Sequence, residues 1–263
     1  MQALQSKVST LIAFCRKANI QDLFLVGGCI RDSLQGRNPK DWDLTGPMKP
    51  DQFREKLSRA GIKFFDKNSS YGTVSFFWEG EEYEYSTFMK RVERTSQFRQ
   101  AVLTHGRERA NELVRMVEVE FTTDLEEDAK RRDFTMNALY WDVHRDELVD
   151  PLRGKNDALY GKLRWIGTPI LRVAEDPSRM IRFFRFQHDK GYVPCSVGVE
   201  PEMVEAYAIY IPGEKLFQEV MKCKPETMAL VLMDLFDLGA LHHFGVETMP
   251  ELCTDVPHMY NWL

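Results

Sequence analysis

Two aspartates one residue apart, Asp41 and Asp43, are the first residues of this chain whose types and spacing point to chemistry. On a β-strand, alternate side chains point to the same face, so both carboxylates would project together and Trp42 would point away. Two like charges held that close are unfavourable unless a cation neutralises them, and a pair of bridging Mg²⁺ ions does so in phosphoryl transfer. A solvated strand edge is the alternative interpretation of this pattern.

Two glycines, Gly27 and Gly28, precede these aspartates and separate a predicted strand from a predicted helix. Glycines at such a turn let a ligand approach the backbone, and the N-terminus of the helix then faces an anion. Arg31 lies near the start of that helix, where its guanidinium would reach a phosphate above the turn. The alternatives are an ordinary strand-ending turn and a surface ion pair between Arg31 and Asp32.

Clustered cations mark the motif "KRRDFTMNALYWD", residues 130–142. Adjacent basic side chains are costly to place together unless they meet a polyanion, and the Asp133 and Asn137 side chains that follow are suited to bind sugar hydroxyls. Alternatively, Asp133 is the N-cap of a helix over "FTMNAL". The residues alone leave both interpretations open.

A second basic motif, "EDPSRMIRFFRF", is predicted to be helical and carries arginines every three residues, at Arg179, Arg182 and Arg185. The preceding Asp176 and Pro177 are typical of an N-cap and a first helical residue. A capped, basic amphipathic helix with an apolar core face is therefore the alternative to a ligand site.

The order and spacing of four segments resemble those of bacterial-type (class II) tRNA nucleotidyltransferases and poly(A) polymerases. They are "LVGGCIRDSLQGRNPKDWDLTG", "EEDAKRRDFTMNALYWD", "LVDPLRGKNDALYGKLRWIG" and "AEDPSRMIRFFRF". The resemblance implies an α+β fold: a polymerase-beta-like nucleotidyltransferase head with a mixed β-sheet and flanking helices, then an all-α neck and a short body. Polar, Pro and Gly residues cluster at 149–161, so the head is predicted over 1–150 and the neck and body over 151–263.

The resemblance also implies roles for individual residues. Asp41 and Asp43 are the catalytic carboxylates and hold two Mg²⁺ ions, while Gly28 and Arg31 contact the triphosphate. Asp133 and Asn137 lie near the ribose, and Asp176 and Arg179 read the base edge of CTP and ATP. The remaining nucleotide-binding residues are Arg132, Arg182 and Arg185. Glu84, on the next predicted strand, is the candidate for a third carboxylate.

The reaction implied is attack of an RNA 3′-hydroxyl on the α-phosphate of CTP or ATP, with release of pyrophosphate. The expected partners are tRNA, or another RNA 3′ end, and the two nucleotides; the expected product is the CCA end of tRNA. A poly(A) polymerase, or an enzyme that adds only C or only A, is the alternative because the motifs are shared. Two aromatic and β-branched runs around a Glu-Gly turn, "TVSFFWEGEEYEYSTF", predict a β-hairpin. The segment between the metal-binding strand and this hairpin is short and has no "GRRF"-like insert, which favours tRNA. A non-catalytic RNA- or nucleotide-binding module is less favoured because the carboxylates and arginines are intact.

Bulk composition places few other limits on the function. The chain has 263 residues, 43% of them hydrophobic, and a net charge of −5. No apolar run approaches the length of a membrane span, and five cysteines without a C-x-x-C pattern favour a reducing compartment, which we expect to be the cytoplasm. Residues 89–115 carry seven Lys and Arg against three Glu, a stretch suited either to RNA phosphates or to a solvated surface.

Overall fold

The structure, a computed structural model, describes residues 1–65, 72–91, 119–195 and 197–246. The chain divides into two compact units. Unit 1 comprises Met1–Arg132 and Asn137–Lys155, and unit 2 comprises Asp133–Met136 and Asn156–Leu263. The chain therefore enters unit 2 directly after Arg132, returns to unit 1 at Asn137 and enters unit 2 again at Asn156. The domain limits given above for the protein stay a prediction.

Unit 1 is built on a seven-stranded mixed sheet. Its strands are β1 (Phe24–Val26), β2 (Asp43–Gly46), β3 (Phe64–Phe65), β4 (Thr73–Trp78), β5 (Glu81–Thr87), β8 (Tyr140–Asp142) and β9 (Glu147–Val149). Their order across the sheet is β3-β4-β5-β2-β1-β8-β9. Strands β2 and β5 run parallel, while β1 pairs antiparallel with both β2 and β8. The predicted mixed sheet is confirmed, and so is the predicted hairpin of β4 and β5.

Helices flank this sheet, as predicted. They are α1 (Gln2–Ala18), α2 (Gly28–Leu34) and α3 (Pro50–Ala60), while α4 (Leu125–Lys130) packs against a smaller second sheet. Aromatic stacking fixes the first and third helices against the sheet: the ring centroids of Phe14 and Phe76 are 4.6 Å apart, and those of Phe53 and Tyr85 are 3.8 Å apart. A small second sheet pairs β6 (Met89–Arg91) with β7 (Val119–Phe121).

Unit 2 is mainly helical, as the sequence predicts. Its helices are α5 (Lys155–Leu159, whose first residue belongs to unit 1), α6 (Pro169–Glu175), α7 (Arg179–Lys190), α8 (Pro201–Tyr207), α9 (Gly213–Val220) and α10 (Pro225–Asp237). A two-stranded parallel sheet of β10 (Lys162–Leu163) and β11 (Val193–Pro194) was not anticipated. Phe134 lies in the core, where its ring centroid is 4.6 Å from that of Trp165.

Two expectations about surfaces and membranes have different outcomes. Most of the basic stretch 89–115 lies outside the described residues, so its interpretation stays a prediction. Within the described ranges, no helix is both long enough and apolar enough to cross a membrane.

Candidate functional site

An acidic cavity opens at the start of the two parallel strands of unit 1. Asp43 is the first residue of β2, and its partner in the register is Glu84 on β5. The cavity has a volume of about 750 Å³ and is lined by Pro39, Lys40, Asp41, Trp42, Asp43, Glu81, Glu82 and Glu84. The two predicted carboxylates and the candidate third one therefore share one cavity.

The prediction that Asp41 and Asp43 occupy one strand is wrong in one respect. The strand begins at Asp43, and Asp41 lies in the irregular segment before it. The preceding "NPK" is turn sequence, and Pro39 has no backbone N–H to donate to a ladder. Asp41 is therefore not held in place by strand hydrogen bonds.

The donor chemistry of this cavity fits a divalent metal ion. Carboxylate oxygens are the preferred ligands of Mg²⁺, and one or two of them, completed by water and substrate phosphates, are the usual protein contribution. Among the residues that the structure describes, no three His, Cys, Asp or Glu side chains converge closely enough to hold a metal by themselves. The cavity thus offers a partial set of ligands that phosphates would complete.

The glycine turn has a backbone conformation that requires glycine at one of its two positions. Gly27 has φ of 77° and ψ of −123°, which L-residues rarely adopt. Its N–H donates to the carbonyl oxygen of Leu139 at 2.9 Å, so the residue just before β8 holds the turn. Helix α2 begins directly after it, at Gly28.

Two guanidinium groups lie against this turn. A Cβ built on Gly27 would lie 3.7 Å from Nη1 of Arg132, and one built on Gly28 would lie 3.6 Å from Nη2 of Arg31. Two fixed cations beside a glycine turn are a suitable surface for a polyphosphate.

Arg31 is buried and held by two acceptors of unit 1. Its Nη1 donates to Oδ1 of Asn137 at 2.6 Å, and its Nε donates to Oδ1 of Asp32 at 2.9 Å. The Arg31–Asp32 pair is therefore part of the interior, because the Arg31 side chain is only 8% exposed. Arg31 and Asn137, predicted separately, are brought together.

Cys29 connects the glycine turn to the acidic cavity. Its thiol is buried and donates to the carbonyl oxygen of Val26 at 3.3 Å. Burial, together with the nearby negative charge of Asp43, raises the pKa of the Cys29 thiol to about 12. The first residue of β2 is thus close to the start of α2.

In unit 2, Asp133 and Arg182 form a partly buried ion pair, in which Asp133 is buried and the Arg182 side chain is 30% exposed. Nε of Arg182 donates to Oδ2 of Asp133 at 2.7 Å. The other side of the Arg182 guanidinium faces Glu219, whose Oε1 is 3.8 Å from Nη1, and Nη2 of Arg185 is 3.2 Å from Oε2 of the same carboxylate. Burial alone would lower the pKa of Arg182, but the charges of Asp133 and Glu219 raise it.

The alternative interpretation of Asp133 as a helix N-cap is wrong. The segment after it forms only a 3₁₀ turn, Thr135–Asn137, which leads into β8. Phe134 is buried in the core of unit 2, and its own N–H donates to Oδ1 of Asp133 at 2.7 Å. Burial of this aromatic ring overrides the local helical pattern.

Asp176 and Arg179 flank the short connection between α6 and α7. Arg179 Nη1 donates to Oε2 of Glu175 at 2.8 Å and to the carbonyl oxygen of Arg172 at 3.1 Å. Burial lowers the pKa of Arg179, and the charge of Arg182 adds to this, while Asp133 and Asp176 oppose it. The side chain is thereby oriented before any ligand binds.

The expectation that Asp176 is the N-cap of the arginine-bearing helix is wrong. Asp176 follows Glu175, the last residue of α6, and α7 begins at Arg179 after Ser178. The carboxylate accepts from N of Ser178 at 3.0 Å and from its Oγ at 2.6 Å, which turns the chain before the helix starts. Pro177, which cannot donate, lies inside this turn and not in the helix.

Four side chains that support the predicted site were missed. Asp128 and Glu175 each lie four positions before a motif arginine, Arg132 and Arg179, and pair with it. An acidic residue four positions before an arginine is a local signal that could have predicted both ion pairs. The other two are Lys7 and Glu219, whose partners are distant in the sequence and carry no local signal.

Comparison with known proteins identifies the family. Residues 23–164 match the poly(A) polymerase head domain. Over 234 residues the chain is 32% identical to CCA tRNA nucleotidyltransferase 1, mitochondrial, of Danio rerio, covering 86% of this chain and 49% of that protein. The chain belongs to the family of tRNA nucleotidyltransferases and poly(A) polymerases.

Other members of the tRNA nucleotidyltransferase and poly(A) polymerase family have similar identities. The chain is 35% identical to poly(A) polymerase I of Haemophilus influenzae over 76% of its length and 42% of that protein. It is 33% identical to the CCA-adding enzyme of Bacillus subtilis over 70% of its length and 40% of that protein. The chain thus spans about half the length of the curated relatives it matches, or less.

A solved structure of the family shares the fold. The Bacillus stearothermophilus CCA-adding enzyme in complex with CTP aligns with a TM-score of 0.57 and 25% identity, covering 93% of this chain and 52% of that one. The polymerase-beta-like nucleotidyltransferase head, with its mixed sheet and flanking helices, is therefore confirmed, and membership of the nucleotidyltransferase family suggests a divalent metal.

Proposed function

We propose that this protein transfers CMP and AMP from CTP and ATP to the 3′ end of tRNA, building or repairing its CCA terminus with release of pyrophosphate. The observation that carries the proposal is in unit 1, where Arg31 and Arg132 flank the Gly27–Gly28 turn. The acidic cavity with Asp41, Asp43 and Glu84 supplies the complementary charge. Cations for a triphosphate and carboxylates for metals are both required by nucleotidyl transfer.

Asp41 and Asp43 would hold the metal ions, which we propose to be Mg²⁺, with Glu84 as a further carboxylate. Bound Mg²⁺ supplies positive charge at the phosphates and lowers the pKa of the attacking RNA hydroxyl. Arg31 and Arg132 would neutralise the triphosphate and orient it. Because hydrogen bonds to Asn137 and Asp32 already fix Arg31, binding a phosphate there costs little side-chain entropy.

We propose that Asp176 and Arg179 select the base. An ionised carboxylate accepts the exocyclic amine that cytosine and adenine share, and a guanidinium donates to ring nitrogens or a carbonyl. Arg182 and Arg185, which the family resemblance implies as nucleotide contacts, are engaged by Asp133 and Glu219. We propose that they order the start of α7, next to Asp176 and Arg179, more than they contact the base.

The poly(A) polymerase activity is a second candidate, since a relative of that name is 35% identical. One experiment separates the candidates: the protein is incubated with tRNA lacking its CCA end, CTP, ATP and Mg²⁺, and the RNA 3′ ends are sequenced. Ends that read CCA support the proposal, and runs of A on any RNA support the alternative. Nucleotide binding without extension would indicate a non-catalytic module.

For the compartment, we propose the cytoplasm. The four cysteines of the described residues (Cys15, Cys29, Cys195 and Cys223) are all free thiols, which a reducing compartment preserves. Three relatives from vertebrates are named as mitochondrial proteins, and a fluorescent fusion imaged in the source cell would distinguish the two locations.

A further inference from the structure

A fully buried carboxylate, Asp128, is the convergence point of three segments of unit 1. Its Oδ1 accepts from N of Met89 at 3.0 Å and from Nε of Arg131 at 2.8 Å. Its Oδ2 accepts from Nη2 of Arg132 at 2.9 Å and from the hydroxyl of Tyr140 at 2.7 Å. With two donors on each oxygen, the carboxylate is satisfied as an anion.

Asp128 and Tyr140 together fix the orientation of the Arg132 guanidinium. Tyr140 accepts from Nε of Arg132 at 3.0 Å, and the guanidinium carbon lies 5.1 Å from the centroid of the tyrosine ring. Two nitrogens of a planar group are thereby bound on one side. The third nitrogen, Nη1, is the one that lies beside the Gly27 turn.

The Asp128 carboxylate also connects the Gly27–Gly28 turn, through Arg132, to the segment that follows β5. Met89 begins β6, one residue beyond Phe88, whose own N–H donates to the carbonyl oxygen of Gly46 at the end of β2. Asp128 therefore joins the motif arginine to the segment that continues from the strand bearing Glu84. A surface ion pair would have no such set of partners.

We propose that Asp128 is a positioning residue for nucleotide binding: it holds Arg132 so that Nη1 faces the phosphates of a nucleotide at the Gly27–Gly28 turn. This inference rests on the proposed function, because it requires that a nucleoside triphosphate bind at that turn. Asp128 itself touches no substrate and acts through Arg132. The preorganised guanidinium would bind a phosphate without first losing rotamer freedom.

A double-mutant cycle tests the positioning role. The dissociation constant for CTP in the presence of Mg²⁺ is measured by calorimetry for the wild type, Asp128→Asn, Arg132→Gln and the double variant. We expect each single change to weaken binding roughly ten- to a hundredfold, the effect of losing a charge-assisted hydrogen bond. The double variant should bind CTP no more weakly than Arg132→Gln alone, because the effect of Asp128 passes through Arg132.

Asp142→Asn is the matched control. Asp142 is also a buried carboxylate of unit 1, but its described hydrogen bonds come from the backbone N–H groups of His144 and Arg145, at 2.9 and 3.0 Å, which are not predicted site residues. The Asp142→Asn variant should unfold at a lower urea concentration than the wild type and bind CTP with an unchanged dissociation constant. A structural role for Asp128 alone would give the same result as this control.

Tyr140→Phe provides a second route if Asp128→Asn does not fold. It removes one hydrogen bond from Arg132 and one from Asp128 but keeps the ring, and it should weaken CTP binding only when Arg132 is present. If Tyr140→Phe weakened CTP binding equally in the wild type and in the Arg132→Gln variant, the positioning role would be overturned. The same holds if neither Asp128→Asn nor Tyr140→Phe changed the affinity for CTP. Either result would leave the proposed function standing. A wild type that does not bind CTP at all would overturn the proposed function, and the inference with it.

Discussion

The ammonium group of Lys7 lies 5.4 Å from the centroid of the Trp42 ring, the residue between Asp41 and Asp43. The same nitrogen donates to the hydroxyl of Tyr83 at 3.0 Å and pairs with Glu81, which lines the acidic cavity. Burial alone would lower the pKa of Lys7, but its hydrogen bonds to Glu81 and Tyr83 raise it. The first helix therefore carries a cation that stabilises the segment before β2, where strand hydrogen bonds are absent at Asp41.

We expect Lys7→Met to lower the free energy of unfolding by about 1–2 kcal/mol, through loss of a cation–π contact and a buried hydrogen bond. Glu81 is half exposed and remains hydrated, so the loss stays moderate. Urea denaturation measures it. The exposed Lys17→Met, at the end of the same helix, should change stability by no more than about 0.5 kcal/mol. Equal midpoints for both variants would show that Lys7 does not stabilise this segment.

Asp41→Ala and Asp43→Ala should each abolish nucleotide addition and leave the fold intact. Removing either carboxylate relieves like-charge repulsion, so the free energy of unfolding should hold or rise, while stabilisation of the transition state by the metal, several kcal/mol, is lost. Single-turnover assays and circular dichroism give the two readouts. Asp51→Ala, on the exposed start of α3, is the control and should retain full activity. Substantial addition by both cavity variants would contradict the two-metal assignment.

The two glycines of the turn should respond differently to alanine. At Gly27, with φ of 77°, alanine should cost about 1–3 kcal/mol of stability from backbone strain. At Gly28 the backbone is helical and a Cβ would make only an ordinary contact, 3.6 Å from Arg31, so stability should be preserved. Because the added methyl would lie beside the Arg31 guanidinium, which we propose binds phosphate, Gly28→Ala should weaken CTP binding by about tenfold or more. The reverse ranking in melting temperature would contradict this geometry.

Asp176→Ala should lower the use of CTP and ATP and narrow the gap to UTP and GTP, because it removes both the acceptor for an amine and the repulsion of a carbonyl. The penalty for leaving such a group unpaired, roughly 2–4 kcal/mol, corresponds to about 30- to 1,000-fold in kcat/KM. Competition among four nucleotides measures it. Ser178→Ala is the control, since it removes the 2.6 Å hydrogen bond to Asp176 but keeps the carboxylate. Unaltered selectivity with a lowered melting temperature would restrict Asp176 to a structural role.

Asp128 should make a pH-dependent contribution to stability. Burial raises the pKa of its carboxyl, but the charges of Arg132 and Arg131, with hydrogen bonds from Tyr140 and Met89, lower it from 3.8 to about 2. A lowered folded-state pKa means that the stabilisation is complete above pH 4 and is lost as the pH falls through about 2; it amounts to about 2 kcal/mol. The difference in unfolding free energy between the wild type and Asp128→Asn should shrink over this window. A constant difference from pH 5 to pH 2.5 would contradict it.

Much of the fold was predictable because the signals are local. Asn19 and Gly61 end the first and third helices in the left-handed conformation, with φ of 51° and 70°, and the Glu79–Gly80 turn joins the hairpin strands. The residues of the candidate site were likewise indicated by short motifs. Each of these features depends on a few consecutive residues, whose types alone restrict the backbone dihedral angles.

The support around the site was not predictable, since it depends on contacts between distant segments. Asp128 binds a backbone N–H 39 positions before it, and Lys7 pairs with Tyr83, which is 76 positions away. The N-cap predictions at Asp133 and Asp176 failed for a related reason. A local cap signal is only a preference of about 1 kcal/mol, and burial of Phe134 among Trp165 and its neighbours exceeds it.

Asp133–Met136 belongs to unit 2 but lies in the sequence between the two segments of unit 1, which limits how the two units can be separated in evolution. Phe134 and Met136 are fully buried, yet they are encoded before β8 and β9 of unit 1. A gene shortened after codon 155 would keep both apolar side chains and lose Trp165, Phe183 and Phe186, against which Phe134 packs. The shortened protein would expose this hydrophobic patch to solvent and aggregate. Recombination after codon 155 would therefore be selected against. We expect unit 1 and unit 2 to be inherited together in related genes.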